Sequence, residues 1–242
     1  MKRFWKTALH APDGDGWQIL LDGRPLNTPA RAPLLLPTAP LAEAIAGEWQ
    51  QAGAEFQPSS MPLTALANAA TDIIATDRDA FVSPLVHHAA FDLVCYRADE
   101  PSALVARQAA IWEPLLKQVE ARRRLLFRRT SGILHVEQPA ATIAAVRAIL
   151  LERSNFELAA LHPLITISGS AVLAIAHLDG LASAADIFAA SRLDEQFQQQ
   201  QWGDDDEAMR VCALREAEFL AAARFLALTS PGAEGDSEAG SR

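Results

Sequence analysis

Two neighbouring histidines and an aspartate have the types and spacing that most readily suggest chemistry. His88 and Asp92 lie four residues apart, which would place them on one face of a helix, and His87 adjoins them. A zinc or iron site needs further ligands, and His135 and His162 occur without the required spacing. A surface histidine beside a carboxylate is the ordinary alternative. We therefore predict no metal site, and keep a small metal-assisted hydrolase as the second functional hypothesis.

The other sequence signatures of catalysis do not point to an enzyme. Cys95 could act as a nucleophile with a distant histidine, but an isolated cysteine near a helix end is typical of a core. The sequence has no G-x-x-x-x-G-K, G-x-G-x-x-G or G-x-S-x-G motif. We predict neither catalytic residues nor a cofactor. Cys95 and Cys212 are far apart and neither has a second cysteine at metal-ligand spacing, so a reducing compartment is expected.

The charge of the chain bears on nucleic-acid binding. Its formal net charge of −9 argues against a general nucleic-acid binder, because neutralising phosphates needs a surplus of lysine and arginine. One basic run, Arg122–Arg124 followed by Arg128 and Arg129, is an exception. It leaves open an RNA-contacting accessory factor. A solvated basic helix end that complements the helix dipole explains the same residues more simply.

A polar stretch near the C-terminus, residues 193–208, combines glutamines, acids and one tryptophan. On a single helix, one arc of this region would be apolar and would include Asp194; its apolar members are Ile187, Ala190, Leu193 and Phe197. An acid on a buried arc usually has a structural partner. Asp194 is therefore predicted to be a structural carboxylate.

The other face of the same predicted helix is more polar. Glu195 lies in line with Trp202, and an exposed tryptophan amid polar groups is typical of protein–protein contacts. Adjacent Asp and Glu side chains point about 100° apart on a helix and would not face one substrate. The pattern favours binding over catalysis. The predicted partner-binding residues are Arg192, Glu195, Gln199 and Trp202.

The first 60 residues are dense in Pro and Gly and predict a small antiparallel meander. Strands are expected over residues 4–10 and 17–21, with a turn over 12–16, and Asp22-Gly23 is a strong two-residue hairpin signal. A short helix capped by Thr38 follows. Trp49 lies on the apolar arc of this helix and is predicted to be structural.

From about Ser60 the apolar residues recur at helical spacing. Pro114 should break or restart a helix, and Asn155 can cap another. A further helix should run from Ser183 to about Gln201. The predicted fold class is α+β: a β-rich N-terminal domain with a short helix over residues 1–60, a larger, mostly helical domain over 61–228, and a disordered tail over 229–242.

The apolar segment over residues 163–177 raises the question of whether the chain contains a membrane-spanning helix. It is shorter than the roughly 20 apolar residues of a spanning helix, so one central buried helix is predicted, with Gly169 allowing a neighbouring backbone to come close. The N-terminus has neither a signal core nor an amphipathic presequence. We expect no membrane insertion, and a cytoplasmic bacterial protein or a trimmed form in the mitochondrial matrix.

Several short motifs, taken together and in order, resemble one family: the assembly chaperones for the α subunit of the F-type ATPase head, known in mitochondria as F₁ complex assembly factor 2. The resemblance covers nearly the whole chain except the tail. Glu113 is a mild departure, because the family often has Asp before this proline. The motifs are Gly16-Trp17, Leu21–Leu26, Thr28–Ala30, Leu36–Thr38, Ala44–Ala46, Glu48-Trp49, Met61–Thr64, Cys95–Ala98, Arg107-Gln108, Trp112–Leu116, Thr166–Ser170, Leu193–Glu195 and Gln201–Gly203.

The resemblance implies an α+β fold and a role in ATP synthase assembly. It implies that the protein holds the newly made α subunit until the β subunit takes its place. It also implies that Glu195 is important for function. No nucleotide hydrolysis is needed for this activity. The expected partner is therefore the α subunit, with no nucleic acid, and the protein is expected to be a monomer.

Overall fold

The N-terminal region of the computed structural model is a three-stranded antiparallel sheet. The structure describes residues 2–57, 60–132, 134–203 and 205–230. Strands β1 (Ala8–Asp13), β2 (Gly16–Leu21) and β3 (Arg24–Pro25) pair in chain order. Asp22 and Gly23 connect β2 to β3 with φ angles of 48° and 80°, and positive values at both positions are those of a tight hairpin turn. The predicted meander and hairpin are confirmed.

The first strand begins later than predicted. β1 starts at Ala8 and not at Phe4, because the preceding backbone has another partner: the Thr7 N–H donates to the carboxylate of Asp22 at 2.9 Å. The turn predicted over residues 12–16 is shorter as well, since β1 and β2 extend into it from both sides. The sheet is therefore displaced along the chain by a few residues, with its topology unchanged.

Helix α1 (Ala39–Gln51) covers one face of this sheet. The Thr38 hydroxyl accepts from the backbone N–H of Leu41 at 3.3 Å, so the predicted cap is confirmed. Leu41 and Ile45 are buried on the inner side of the helix, where α1 contacts β1 and β2. This small layer of helix on sheet is the β-rich part of the α+β fold.

The rest of the described chain is mainly helical. Helix α2 runs into a π-helical turn (Ala70–Ile74), a short 3₁₀ turn (Leu93–Cys95) follows α3, and two short parallel strands pair with each other. The apolar residues of α6 and α7 are largely buried and form the centre of this region. The bounds are α2 (Pro62–Ala69), α3 (Arg78–Ala90), β4 (Tyr96–Arg97), α4 (Ser102–Arg123), β5 (Thr130–Ser131), α5 (Ala140–Leu151), α6 (Asn155–Ser168), α7 (Ala171–Leu178), α8 (Ala184–Ser191), α9 (Leu193–Trp202) and α10 (Asp206–Thr229).

The prediction that Pro114 breaks its helix is wrong. Helix α4 runs without interruption through Pro114, which lies on the exposed face. Proline removes one backbone hydrogen bond and crowds the preceding turn. The buried side chains of Trp112 and Leu116, on either side of the proline, anchor the helix to the core and outweigh this local cost.

The single helix predicted over residues 163–177 is in fact two helices. Gly169 has a φ of 66° and ends α6 in the left-handed conformation, a role that suits glycine. Ser170 then caps α7, its hydroxyl accepting from the Leu173 N–H at 3.0 Å. Gly169 also brings two backbones together, because its carbonyl accepts from the Leu93 N–H at 3.2 Å. The sequence predicts this close approach within a helix, whereas the structure places it at a helix end.

The cap of α6 also differs from the prediction. Ser154, and not Asn155, caps this helix. Its hydroxyl accepts from the Glu157 N–H at 3.1 Å, and the Glu157 carboxylate accepts from the Ser154 N–H at 2.7 Å. This reciprocal pair satisfies two backbone donors, whereas a lone asparagine cap satisfies one.

Hydrogen bonds join the β-rich part to the helical part. The carboxylate of Glu48, on α1, accepts from the backbone N–H groups of Leu63 and Thr64, both at 2.8 Å, and so caps α2 from another helix. Trp49 is half-buried, and its indole N–H donates to the Thr64 hydroxyl at 3.1 Å. Trp49 also contacts the buried ring of Trp5, with the ring centroids 4.8 Å apart.

The C-terminal end of the described chain is helical. Thr229, placed in the predicted tail, is buried and is the last residue of α10, and Ser230 after it is exposed. Residues 231–242 of that predicted tail lie outside the described residues. Among the helices that the structure describes, none is both long and apolar enough to cross a membrane.

Candidate functional site

The polar stretch that sequence analysis singled out forms a helix of its own, α9. The helix predicted from Ser183 to about Gln201 is interrupted at Arg192, whose φ and ψ of −113° and 17° are not helical. Gly203, with a φ of 91°, ends α9. Because of the interruption, the arc drawn through α8 and α9 as one helix does not hold. Phe197, predicted to continue the buried arc, is half-buried.

Helix α4 positions α9 through side-chain hydrogen bonds. The Arg107 guanidinium donates to the side-chain carbonyls of Gln196 at 3.0 Å and Gln200 at 3.2 Å. These glutamines are four residues apart and therefore share one face of α9. The Trp112 indole N–H donates to the Ala190 carbonyl of α8 at 2.7 Å. Polar contacts thus take over part of the role that an apolar stripe usually has in fixing a helix.

Asp194 has the structural partner that the sequence predicts for it. Its carboxylate accepts from the Gln108 side-chain N–H at 2.7 Å, and the Gln108 carbonyl in turn accepts from the Ala98 N–H at 2.8 Å. Gln108 is buried, whereas Asp194 is half-buried at the start of α9. The two hydrogen bonds link the first turn of α9 to α4 and to Ala98, which directly follows β4. This arrangement supports a structural role for Asp194.

The outer face of α9 carries the predicted partner-binding residues. Glu195, Gln199 and Trp202 are spaced by four and three residues within α9 and lie on one face. Trp202 is 81% exposed and Gln199 is half-buried. The Glu195 side chain is 48% exposed and pairs with Arg192 at 3.3 Å. The face therefore presents a large aromatic ring and a partly neutralised carboxylate to solvent.

Arg192 has a different place from the one predicted. Its side chain is only 15% exposed, and it lies at the junction of α8 and α9 rather than on a helix face. The contact with the Glu195 carboxylate holds that side chain over the first turn of α9. The structure therefore places Arg192 behind Glu195, where it can orient the carboxylate, and leaves Glu195 and Trp202 as the outermost of the four residues.

The geometry predicted for the alternative metal site is wrong. Helix α3 ends at Ala90, so His88 and Asp92 do not share a helix. Asp92 is fully buried, and its carboxylate accepts from the Ser170 hydroxyl at 2.5 Å and from the Val172 N–H at 2.9 Å. Within the described residues, no group of three or more His, Cys, Asp or Glu side chains is placed to hold a metal ion. Asp92 thus holds a helix junction, and the hydrolase hypothesis has no support.

The histidine and cysteine candidates have environments that suit the core. Burial, with smaller effects from His87 and His162, lowers the pKa of His88, which favours the neutral ring. Burial also raises the pKa of the Cys95 thiol, so the thiolate needed for nucleophilic attack is disfavoured. Burial is the largest cause of both pKa shifts.

The basic run is partly used within the fold. The Arg123 guanidinium forms a double hydrogen bond with the carboxylate of Asp179, whose side chain is nearly buried. Arg129 pairs with Glu120 at 2.8 Å and lies 3.4 Å from Glu113. These ion pairs reduce the positive surface that the sequence suggests. They give the RNA-binding hypothesis no support.

Sequence reasoning missed two features of this region. One is the contact between Arg107 and the pair Gln196 and Gln200, for which the only sequence signal is the four-residue spacing of two glutamines. The other is the first half of α10, residues 206–218, where nearly every side chain is exposed although several are apolar. The acidic side chain of Asp205 caps the start of α10.

Comparisons with known proteins agree on one family. The profile of the family described as ATP12 chaperone protein matches residues 2–120. A curated relative, the protein atp12, mitochondrial, of Schizosaccharomyces pombe, is 25% identical over 223 residues, covering 87% of this chain and 76% of its own length.

Solved structures extend the likeness to the C-terminal helices. Atp12 from Paracoccus denitrificans is 41% identical, with a TM-score of 0.90 over 95% of this chain and 98% of its own. A protein from Agrobacterium tumefaciens is 37% identical, with a TM-score of 0.90 over 95% of this chain and 86% of its own. The fold therefore matches that of a relative along nearly its full length. The chain belongs to the ATP12 chaperone family.

Proposed function

We propose that this protein binds the α subunit of the F-type ATP synthase catalytic head and keeps it from aggregating until the β subunit pairs with it. Membership of the ATP12 chaperone family supports a chaperone role. In the head, α and β subunits alternate and bury large interfaces, so an unpaired α subunit exposes apolar surface that promotes aggregation. A chaperone that covers this surface needs neither a catalytic residue nor nucleotide hydrolysis.

One observation carries the proposed contact site: Trp202 is 81% exposed at the end of a helix whose other outward-facing side chains are polar. Tryptophan supplies much of the binding free energy where it becomes buried at an interface. Glu195, on the same face and already oriented by Arg192, can select a basic group on the partner. Since α4 holds α9 in place, this face is formed before the partner arrives.

The proposed compartment follows the relatives. One is mitochondrial and another comes from a bacterium. We infer that the protein acts where the catalytic head is assembled, which is the cytoplasm of a bacterium or the mitochondrial matrix. It acts there as a monomer that forms a complex with one α subunit.

The test is the aggregation of purified α subunit, followed by light scattering, with and without the chaperone. We expect the unmodified protein to suppress scattering at about one chaperone per α subunit. Trp202→Ala and Glu195→Lys should each weaken binding roughly tenfold or more, since an interface anchor or a buried charge contact is then lost. Helix content measured by circular dichroism should be unchanged in both variants, and only Glu195→Lys should lower the thermal midpoint slightly, because it removes the ion pair with Arg192.

A matched control separates this effect from a general change in charge. Glu43 is exposed on α1, away from α9, and Glu43→Lys alters the net charge as Glu195→Lys does. It should suppress aggregation as well as the unmodified protein. Equal scattering with and without the unmodified chaperone would show that the α subunit is not its client. If Glu195→Lys and Glu43→Lys changed the suppression of aggregation equally, the contact site would not lie on α9.

A further inference from the structure

Helix α10 consists of a packed half and a projecting half. From Phe219 to Thr229 its inner side chains are buried, where it packs on α2, α6 and α8. In residues 206–218, which we call the projecting segment, every side chain is exposed except that of Cys212, which is half-buried. At 1.5 Å per residue the projecting segment is about 20 Å long. The described residues therefore leave this helix without a neighbour on most of its surface.

The projecting segment carries apolar side chains on the same side of the helix as the buried face of α10. Counting back from the buried Phe219 by three and four residues leads first to Arg215 and Glu216, which are exposed, and then to Ala208, Val211 and Cys212. These last three residues form a short apolar stripe that two charged side chains separate from the core. Isolated apolar side chains are common on surfaces, but a stripe in register with a buried face is typical of a helix that packs on something.

A groove lies at the base of the projecting segment and widens the apolar surface. Leu214, which is 72% exposed, Ala217 and the acidic Glu218 form one side of the groove. Ala65 and Leu66 of α2 and Pro163 of α6 form the other side. The groove connects the stripe to the body of the protein, so one apolar ligand surface could contact both.

Charges around the stripe indicate which kind of surface fits it. From residue 205 to residue 218 the helix carries five acidic side chains and two arginines. One of the arginines, Arg210, is already paired with Glu207 at 2.7 Å. An apolar stripe with an acidic border complements an apolar surface bordered by lysine and arginine. The same border disfavours a second copy of this chain, because like charges would then meet.

We propose that the projecting segment and the groove at its base form a docking surface for an apolar client surface with a lysine- and arginine-rich border. This inference rests on the proposed function, because the client is the α subunit. The surface follows directly after Trp202 along the chain, so it extends the contact site on α9 toward the body of the protein. The client would then be held by two neighbouring helices and not by one.

Cys212 provides a test that needs no mutation. It lies in the stripe and is partly accessible, whereas the other cysteine of the chain, Cys95, is fully buried. We expect N-ethylmaleimide to modify Cys212 in the free chaperone. In the complex with purified α subunit the rate should fall roughly tenfold or more, because a side chain in the core of an interface is excluded from solvent. Mass spectrometry of the modified peptide measures the rate.

Two matched substitutions place the surface on one side of the helix. Ala208 lies on the stripe, and Ala213 lies away from it on the same helix; both are exposed. Ala208→Glu should weaken binding of the α subunit roughly tenfold, while Ala213→Glu should leave it within about twofold. Both variants should have unchanged helix content. Binding of the unmodified protein should also weaken as salt rises, since screening reduces attraction between charged borders.

The outcomes separate this inference from the proposed function. A complex that forms while Cys212 stays fully reactive, or that tolerates Ala208→Glu, would overturn the docking surface and leave the function intact. Protection of Cys212 that depends on chaperone concentration without any client would identify a second copy as the occupant and also overturn it. Binding that does not respond to salt would contradict the charged border. If no complex forms, the proposed function fails, and this inference with it.

Discussion

The carboxylate of Asp92 connects two parts of the helical region. It accepts from the Ser170 hydroxyl and the Val172 N–H at the start of α7, and from the Val94 N–H in the 3₁₀ turn at 3.2 Å. Burial raises the pKa of Asp92 to about 6, and the hydrogen bonds that it accepts oppose this rise. At neutral pH the carboxylate is therefore mostly ionised, as an acceptor of several hydrogen bonds should be.

Asp92→Asn should destabilise the fold at pH 7. The side-chain amide has one acceptor and one donor group where the carboxylate has two acceptors, so a buried backbone N–H loses its partner. The free energy of unfolding should fall by about 1–3 kcal/mol, the usual range for a buried group left unsatisfied. Urea unfolding followed by tryptophan fluorescence measures this. An unchanged midpoint and slope would show that the three hydrogen bonds do not contribute to stability.

The same pair of proteins should differ in how stability depends on pH. Between about pH 4, where Asp92 titrates in the unfolded chain, and about pH 6, where it titrates in the folded protein, the folded state keeps a proton that the unfolded state has released. Ionisation of Asp92 therefore lowers the free energy of unfolding of the unmodified protein as pH rises through this window. The asparagine variant lacks the effect, so the difference between the two proteins should narrow from pH 4 to pH 6. Parallel curves of unfolding free energy against pH for the two proteins would contradict this prediction.

Sequence reasoning at the scale of single residues succeeded where the signal is local. Thr38 caps a helix that begins right after it, and Asp22-Gly23 forms a turn between adjacent strands, so each is fixed by its own neighbours in the chain. Two partners of Asp92, Ser170 and Val172, are about 80 residues away along the chain, and no spacing rule connects them to it. The histidines beside Asp92 suggested a metal ligand because the distant partners could not be seen.

Helix α9 is held in place mainly by its contacts with helix α4. Its inner face contacts α4 through Asp194, Gln196 and Gln200, and its outer face carries Glu195 and Trp202. A helix of this length is marginal in water on its own. The contacts with α4 therefore decide whether the outer face keeps one shape.

Arg107→Ala should loosen α9 and leave the rest of the fold intact. We expect backbone hydrogen exchange to become faster over residues 196–202, because two hydrogen bonds to the helix are lost and local opening requires less free energy. The global unfolding free energy should change by no more than about 1 kcal/mol. Affinity for the α subunit should fall, since the outer face is then less well ordered before binding.

Lys117→Ala is the matched control for this experiment. Lys117 lies on the same helix as Arg107, is exposed, and makes an ion pair within α4 rather than a contact with α9. Its exchange pattern over residues 196–202 should match that of the unmodified protein. Unchanged exchange in the Arg107 variant would mean that Asp194 and the apolar contacts hold α9 without it.

At the scale of secondary-structure elements, the sequence predicts least well where a helix ends or continues. An apolar run predicts a buried helix over residues 163–177, but the run does not show that Gly169 takes a positive φ there. The break at Arg192 has even less local signal, since neither glycine nor proline marks it. Pro114 is the opposite case, a strong local breaker overruled by buried neighbours. In each case tertiary packing, which periodicity does not describe, decides the outcome.

At the scale of the whole molecule, Glu48 joins the β-rich part to the helical part. Met61, at the cap position of α2, gives no side-chain hydrogen bond, and Glu48 of α1 supplies one instead. The Thr64 hydroxyl donates to the same carboxylate at 2.7 Å. The motifs Glu48-Trp49 and Met61–Thr64, which sequence analysis noted as separate signals, are thus two sides of one contact.

Glu48→Ala should lower the free energy of unfolding by about 1–3 kcal/mol, because two backbone N–H groups of α2 lose their acceptor. Thermal unfolding should move to a lower midpoint and stay a single transition if the two parts unfold together. Glu43→Ala, on the exposed face of the same helix, should leave the midpoint nearly unchanged. Equal midpoints for the two variants would show that the capping contact is not needed for stability.

The projecting segment of α10 has a consequence for how the chaperone hands over its client. It is already helical when free, so binding need not order it, and little conformational entropy is lost at that step. A useful affinity can then be reached with a small contact area. Much of the client would remain uncovered and open to the β subunit while the chaperone is still attached. Release would then proceed through a short-lived ternary complex, in which the incoming subunit displaces the helix progressively, and the α subunit would never be fully exposed.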